Sequence, residues 1–101
     1  IFIAGDGNNT VRGSDGNDLI QLGDGNNTVD SGAGNNTLEL GDGNNKVLLI
    51  GSSNVMRAGD GANTVTAQDG TNVITVGGGN NVIELISGAS TVTSGPPSRY
   101  Q

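Results

Sequence analysis

Cysteine and histidine are both missing from the 101 residues, and there are just two aromatic side chains, Phe2 and Tyr100. Without cysteine there is neither a disulfide nor a thiolate metal site. Without histidine the commonest general base and the usual imidazole zinc ligand go as well. So few aromatics cannot fill a thick globular core, although short branched side chains from two facing sheets can fill a thin one. Cationic residues are also scarce: four Lys and Arg stand against ten Asp and Glu, for a net charge of −6. That balance argues against nucleic acid or an anionic membrane as partner and suits cations. No apolar run approaches the roughly 20 residues needed to span a bilayer, so no membrane insertion is expected. No signal peptide is visible. The opening Ile1-Phe2-Ile3-Ala4 starts in mid-pattern, as expected of a processed product or a piece of a longer array with flanking repeats.

Glycine, by contrast, is abundant at 19 residues, without a period of three. Glycine at this density means many tight turns or disorder, and the spacing decides for turns. From Gly5 the chain divides into ten nonamers without insertion or deletion, ending at Ser94. Ile1 to Ala4 fit the last four positions of a preceding repeat. After Gly95, Pro96-Pro97 interrupt the pattern, because proline cannot donate to a ladder. Residues 1–95 therefore read as one repeat domain and 96–101 as a C-terminal tail, a loose end or a link to something else.

Each nonamer opens with turn-forming residues and closes with four that alternate in character. The seventh position is apolar in all ten repeats: Val11, Ile20, Val29, Leu38, Val47, Met56, Val65, Ile74, Ile83 and Val92. The ninth is mostly small or apolar, whereas the sixth and eighth include Thr10, Arg12, Thr28, Asp30, Glu39 and Lys46. Side chains of a strand alternate between faces with period two. Positions seven and nine are thus expected inside, and six and eight in solvent. Odd-numbered repeats open with Gly-x-Gly at every occurrence, whereas even-numbered repeats are looser at the first position: Ser14, Gly32, Ile50, Gln68 and Ile86. A difference between alternate repeats is what a coil of about 18 residues produces, with its two turns on opposite edges. The expected fold is all-β: a parallel β-roll, or β-solenoid, of about five coils, each adding about 4.8 Å to a rod on the order of 25 Å long.

Two columns of turn residues follow from that coil. The fifth position of the odd repeats is asparagine throughout: Asn9, Asn27, Asn45, Asn63 and Asn81. Stacked at strand spacing, their amides can bond from coil to coil as a structural Asn ladder that needs no metal. The second position of the first four odd repeats is aspartate: Asp6, Asp24, Asp42 and Asp60. Carboxylates about 5 Å apart repel by about 1 kcal/mol per pair even at the dielectric of water. Either cations lie between them, with turn carbonyls completing the six to eight oxygens that calcium takes, or each Asp caps its own backbone beside Gly in a solvated Asx turn. The even turns offer Asp15, Asp18 and Asp69 as further metal ligands.

The run Gly13-Ser14-Asp15-Gly16-Asn17-Asp18-Leu19-Ile20-Gln21 resembles the repeats-in-toxin (RTX) nonapeptide Gly-Gly-x-Gly-x-Asp-x-(apolar)-x, departing from it at Ser14. The resemblance extends over about nine-tenths of the chain. It implies calcium ions bound in the turns, secretion, and a structural or adhesive role outside the cell or on its surface. The ligand aspartate of that pattern falls on the fifth position, where Asp18 alone keeps it. Asn9, Asn27, Asn36, Asn45, Asn54, Asn63, Asn72, Asn81 and finally Ser90 stand at the others. The stretch Asn8 to Gly13 is also similar to the short Asn-x-Val-x-Gly repeat of grass ice-binding β-rolls, which fold without calcium on asparagine ladders. Outward threonines such as Thr10, Thr28, Thr64 and Thr66 would then form part of a flat face, which Arg12, Lys46, Leu48, Arg57 and Glu84 interrupt. A further alternative is self-assembly, because open strand edges recruit other strands and end-to-end stacking into a filament would cover both ends. No enzyme is expected. The carboxylates fall on repeat positions, serine has no histidine partner, Lys46 stands alone, and the glycine turns lack the strand–loop–helix setting of a phosphate cradle.

Overall fold

The structure, a computed structural model, describes residues 1–95 and the backbone of 98–100. Twelve short strands wind into a parallel β-solenoid of about five coils, without a helix among the described residues. One sheet runs β1 (Phe2–Ile3), β3 (Leu19–Gln21), β5 (Thr37–Glu39), β7 (Val55–Arg57), β9 (Thr71–Val76) and β11 (Ala89–Ser94). The other runs β2 (Thr10–Arg12), β4 (Thr28–Asp30), β6 (Lys46–Leu49), β8 (Thr64–Ala67), β10 (Asn81–Leu85) and β12 (Ser98–Tyr100). Odd repeats supply one sheet and even repeats the other, so the two sets of turns lie on opposite edges, as the alternation of Gly-x-Gly implied.

The register follows the 18-residue coil. Val11, Val29, Val47, Val65 and Ile83 stack in one sheet. Phe2, Ile20, Leu38, Met56, Ile74 and Val92 stack in the other. These two seventh-position columns face each other across a single layer of core, within a body of 30 × 30 × 14 Å. Nine of the ten repeat residues at this position, Val11 to Ile83, are buried, joined by Leu22, Leu40, Leu49, Ala58, Ala67 and Val76 from the ninth. Burying an aliphatic side chain of this size contributes about 1.5–3 kcal/mol. At the sixth position Thr10, Thr28, Lys46 and Thr64 are exposed, along with Val55, Val73 and Val82.

After the tenth repeat the ladder gains one more strand from the tail. In β12, Ser98 lies opposite Asn81, where an unbroken coil would have brought Arg99. The expected interruption at Pro96-Pro97 falls outside the described residues.

Candidate functional site

The turns owe their shape to two glycines apiece on the odd edge. Gly25 adopts φ of +128°, a left-handed conformation that L side chains rarely take, and a Cβ there would run into the carbonyl of Gly7 one coil before. At Gly23 a Cβ would displace the Asp6 carboxylate, which rests against that glycine. The Gly-x-Gly signature is thus a packing requirement between coils as well as a turn requirement within each.

Three ladders of side-chain hydrogen bonds run along these turns. In the first, Asp6 Oδ1 accepts from the backbone N–H of Asp24, Asp24 from Asp42, Asp42 from Asp60, and Asp60 from Gly78, all at 2.8 Å. The aspartates therefore do cap backbone, but the backbone of the next coil. Bonds from a main-chain donor to a carboxylate are charge-assisted, which offsets the repulsion along the exposed column. In the second, the amide oxygens of Asn8, Asn26 and Asn44 accept from the N–H of Asn26, Asn44 and Ala62. Asn17 and Asn35 do the same on the even edge.

The third ladder is buried. Asn9, Asn27, Asn45, Asn63 and Asn81 form a continuous chain in which each Nδ2 donates to the next Oδ1 at 2.9–3.0 Å. The same Nδ2 groups donate to two carbonyls of their own turn: Gly23 and Gly25 for Asn27, Gly41 and Gly43 for Asn45. Each Oδ1 from Asn27 to Asn81 also accepts from the backbone N–H of the asparagine one coil before. Apart from Asn9, all of these residues are at most 1% exposed. The even edge carries a counterpart that the sequence reading did not single out. There Asn36 donates to the carbonyls of Gly32, Ala33 and Gly34, Asn54 to Ile50 and to Asn72 Oδ1, and Asn72 to Asp69 and Ser90. Its signal was present as Asn36, Asn54 and Asn72 at the same fifth position.

Asp18 heads this even column, and there the arrangement changes. Its backbone N–H donates to Asn36 Oδ1 like its counterparts. Its Oδ2 is buried and has no hydrogen-bond partner. In the next coil this place holds an amide nitrogen giving protons to turn carbonyls; a carboxylate has none to give. A buried carboxylate oxygen without a partner is costly, and a hard cation is a partner such an oxygen suits. The carbonyls of Ser14, Asp15 and Gly16, which stand in sequence where those bonded by Asn36 stand one coil on, would be its further ligands. The turn borders a cleft of about 200 Å³ that Arg12 and Phe2 also line.

The acidic residues are thus divided. Asp6, Asp24, Asp42 and Asp60 share the odd edge, Asp15 and Asp18 share one even turn, and Asp69 lies three coils further along that edge. Asp69 takes a positive φ of 33° and accepts from Ser87 Oγ. Among the described residues no three acidic side chains converge as a ready metal cluster, so turn carbonyls must supply most ligands of any ion. Among the described residues no helix is long and apolar enough to cross a membrane.

Searches of curated proteins and of solved structures return no match. The family model for the RTX calcium-binding nonapeptide repeat, which spans four copies, matches residues 3–38, 23–48 and 51–83. With that match over most of its length, on coils built as described, the chain belongs to the RTX family, whose nonapeptide repeats bind calcium.

Proposed function

We propose that this chain is a calcium-binding structural module of an extracellular or cell-surface protein, a stiff rod with a scaffolding or adhesive role and no catalysis of its own. The unpartnered buried Oδ2 of Asp18 carries the reading, because it is a buried acceptor with no donor to satisfy it. A bound ion would supply positive charge there, joining the Asp18 carboxylate to the carbonyls of its turn. The family, typically secreted, supports the location. Calorimetric titration with calcium tests the ion: wild type should release or absorb heat on binding, and Asp18→Asn should not. Absence of binding to wild type would remove calcium from the reading. Labelling of intact cells of the source organism with an antibody to the chain tests the location.

A second reading, end-to-end stacking, draws on β1 and β2, each paired on one side alone, and on the exposure of Ile1, Phe2 and Ile3 beside them. A further coil would pair with those edges and cover those side chains. Sedimentation at rising concentration distinguishes this from a monomer.

A further inference from the structure

We infer that the fifth-position amides occupy the place of the metal in eight of the ten turns, so that this roll folds without calcium and its metal dependence is confined to the turn of Asp18. The inference rests on the calcium reading for that one turn and departs from it for the others.

The argument is a matching of donors to acceptors. A glycine-rich turn of this kind gathers main-chain carbonyls that point to a common place, and something electropositive has to fill it. A cation can do so, and so can the –NH2 of an amide. In the turn of Asn45, the Nδ2 group reaches Gly41 O and Gly43 O at 3.3 Å and Asn63 Oδ1 at 2.9 Å. The turn of Asn63 repeats this with Gly59, Gly61 and Asn81. An ion entering either turn would have to take these same oxygens and displace the –NH2 group that now bonds them. The fifth-position oxygen beside it would be a neutral amide Oδ1, and the carboxylates of Asp42 and Asp60 in these turns already accept from the backbone of the next coil. The fifth-position asparagines are therefore not weakened calcium ligands but replacements for the ion. Asp18 breaks the series with an oxygen where its neighbours carry N–H.

Two substitutions and one stoichiometry test this. Wild type is expected to show full β circular dichroism in EDTA and to bind one calcium per chain in equilibrium dialysis. Asp18→Asn should bind none and melt in EDTA roughly 5–15 °C above wild type, because one stranded group acquires partners. In Asn45→Asp a carboxylate faces three acceptors, so the variant should melt well below wild type in EDTA and recover with added calcium. If wild type is unfolded in EDTA and folds on taking up several ions, the inference is overturned while the calcium-module reading stands. If wild type is folded in EDTA and takes up no ion, the amides suffice and it is the calcium reading of Asp18 that fails. An Asn45→Asp variant as stable as wild type and indifferent to calcium also overturns the inference.

Discussion

Truncating one amide in the middle of the buried ladder should cost far more than truncating the one at its start. In Asn45→Ala, some partners keep other bonds: Gly41 O still accepts from Gly59 N, Asn63 Oδ1 from the backbone of residue 45, and Asn27 Nδ2 still reaches Gly23 and Gly25. Two groups are stranded, the backbone N–H of Asn27 and the carbonyl of Gly43. At about 1–3 kcal/mol for each buried polar group left without a partner, the loss is about 2–6 kcal/mol. A domain of this size has about 5–15 kcal/mol in total. With a urea m-value near 2 kcal/mol/M, the midpoint should fall by roughly 1–3 M. Asn9→Ala removes donors to Gly5 and Gly7 in the first, partly exposed turn, where water can replace them. Its cost should be about 1 kcal/mol or less. Urea denaturation in EDTA, followed by circular dichroism, compares the two without metal. Equal midpoints for Asn45→Ala and Asn9→Ala would refute the view that the ladder is a buried, mutually satisfied network.

Other perturbations separate the remaining devices of the fold. Gly25→Ala should cost about 1–3 kcal/mol or more, since it combines a left-handed φ with a collision against Gly7, and thermal melts would show it. Asp42→Ala should lose about 1 kcal/mol by freeing the N–H of Asp60, and Asp42→Asn less, because an amide oxygen still accepts; urea midpoints of the pair decide. Ile74→Ala, at a position with 0% exposure, should cost about 2–5 kcal/mol. Val73→Thr, one residue away and facing solvent, should stay within about 0.5 kcal/mol on the same melts.

The period of nine made most of the architecture legible, because a strand side chain can face just two ways and the apolar seventh position recurs in every repeat. The coil of 18 was readable from glycine: Gly23 and Gly25 answer to Asp6 and Gly7 one coil earlier, a pairing that every odd turn after the first repeats and that the first position of most even turns lacks. The odd Asn ladder could be anticipated because amides stacked at strand spacing have few other partners. The destination of the aspartate bonds could not. An Asx turn onto its own backbone and a cap on the next coil use the same residue beside the same glycine, and only the stacking distance chooses between them. The isolation of Asp18 Oδ2 was equally hidden. Asp and Asn differ by one group in the sequence, and what that group faces is decided by carbonyls, which every residue carries alike.

The ladders also give the rod a direction. Fifth-position asparagines donate toward the coil that follows, as Asn27 does to Asn45, while the second and fourth positions accept from it, as Asp24 does from Asp42 and Asn26 from Asn44. A cut between any two of the first four coils therefore leaves unlike faces on the odd edge. One shows amide N–H at position five with oxygens at positions two and four, and the other shows the reverse. Two like faces brought together would oppose oxygen to oxygen and N–H to N–H along these side-chain rows. Coils of this protein can join in a single sense, so a rod built from them has a front and a back, and whatever extends it has to arrive facing the same way.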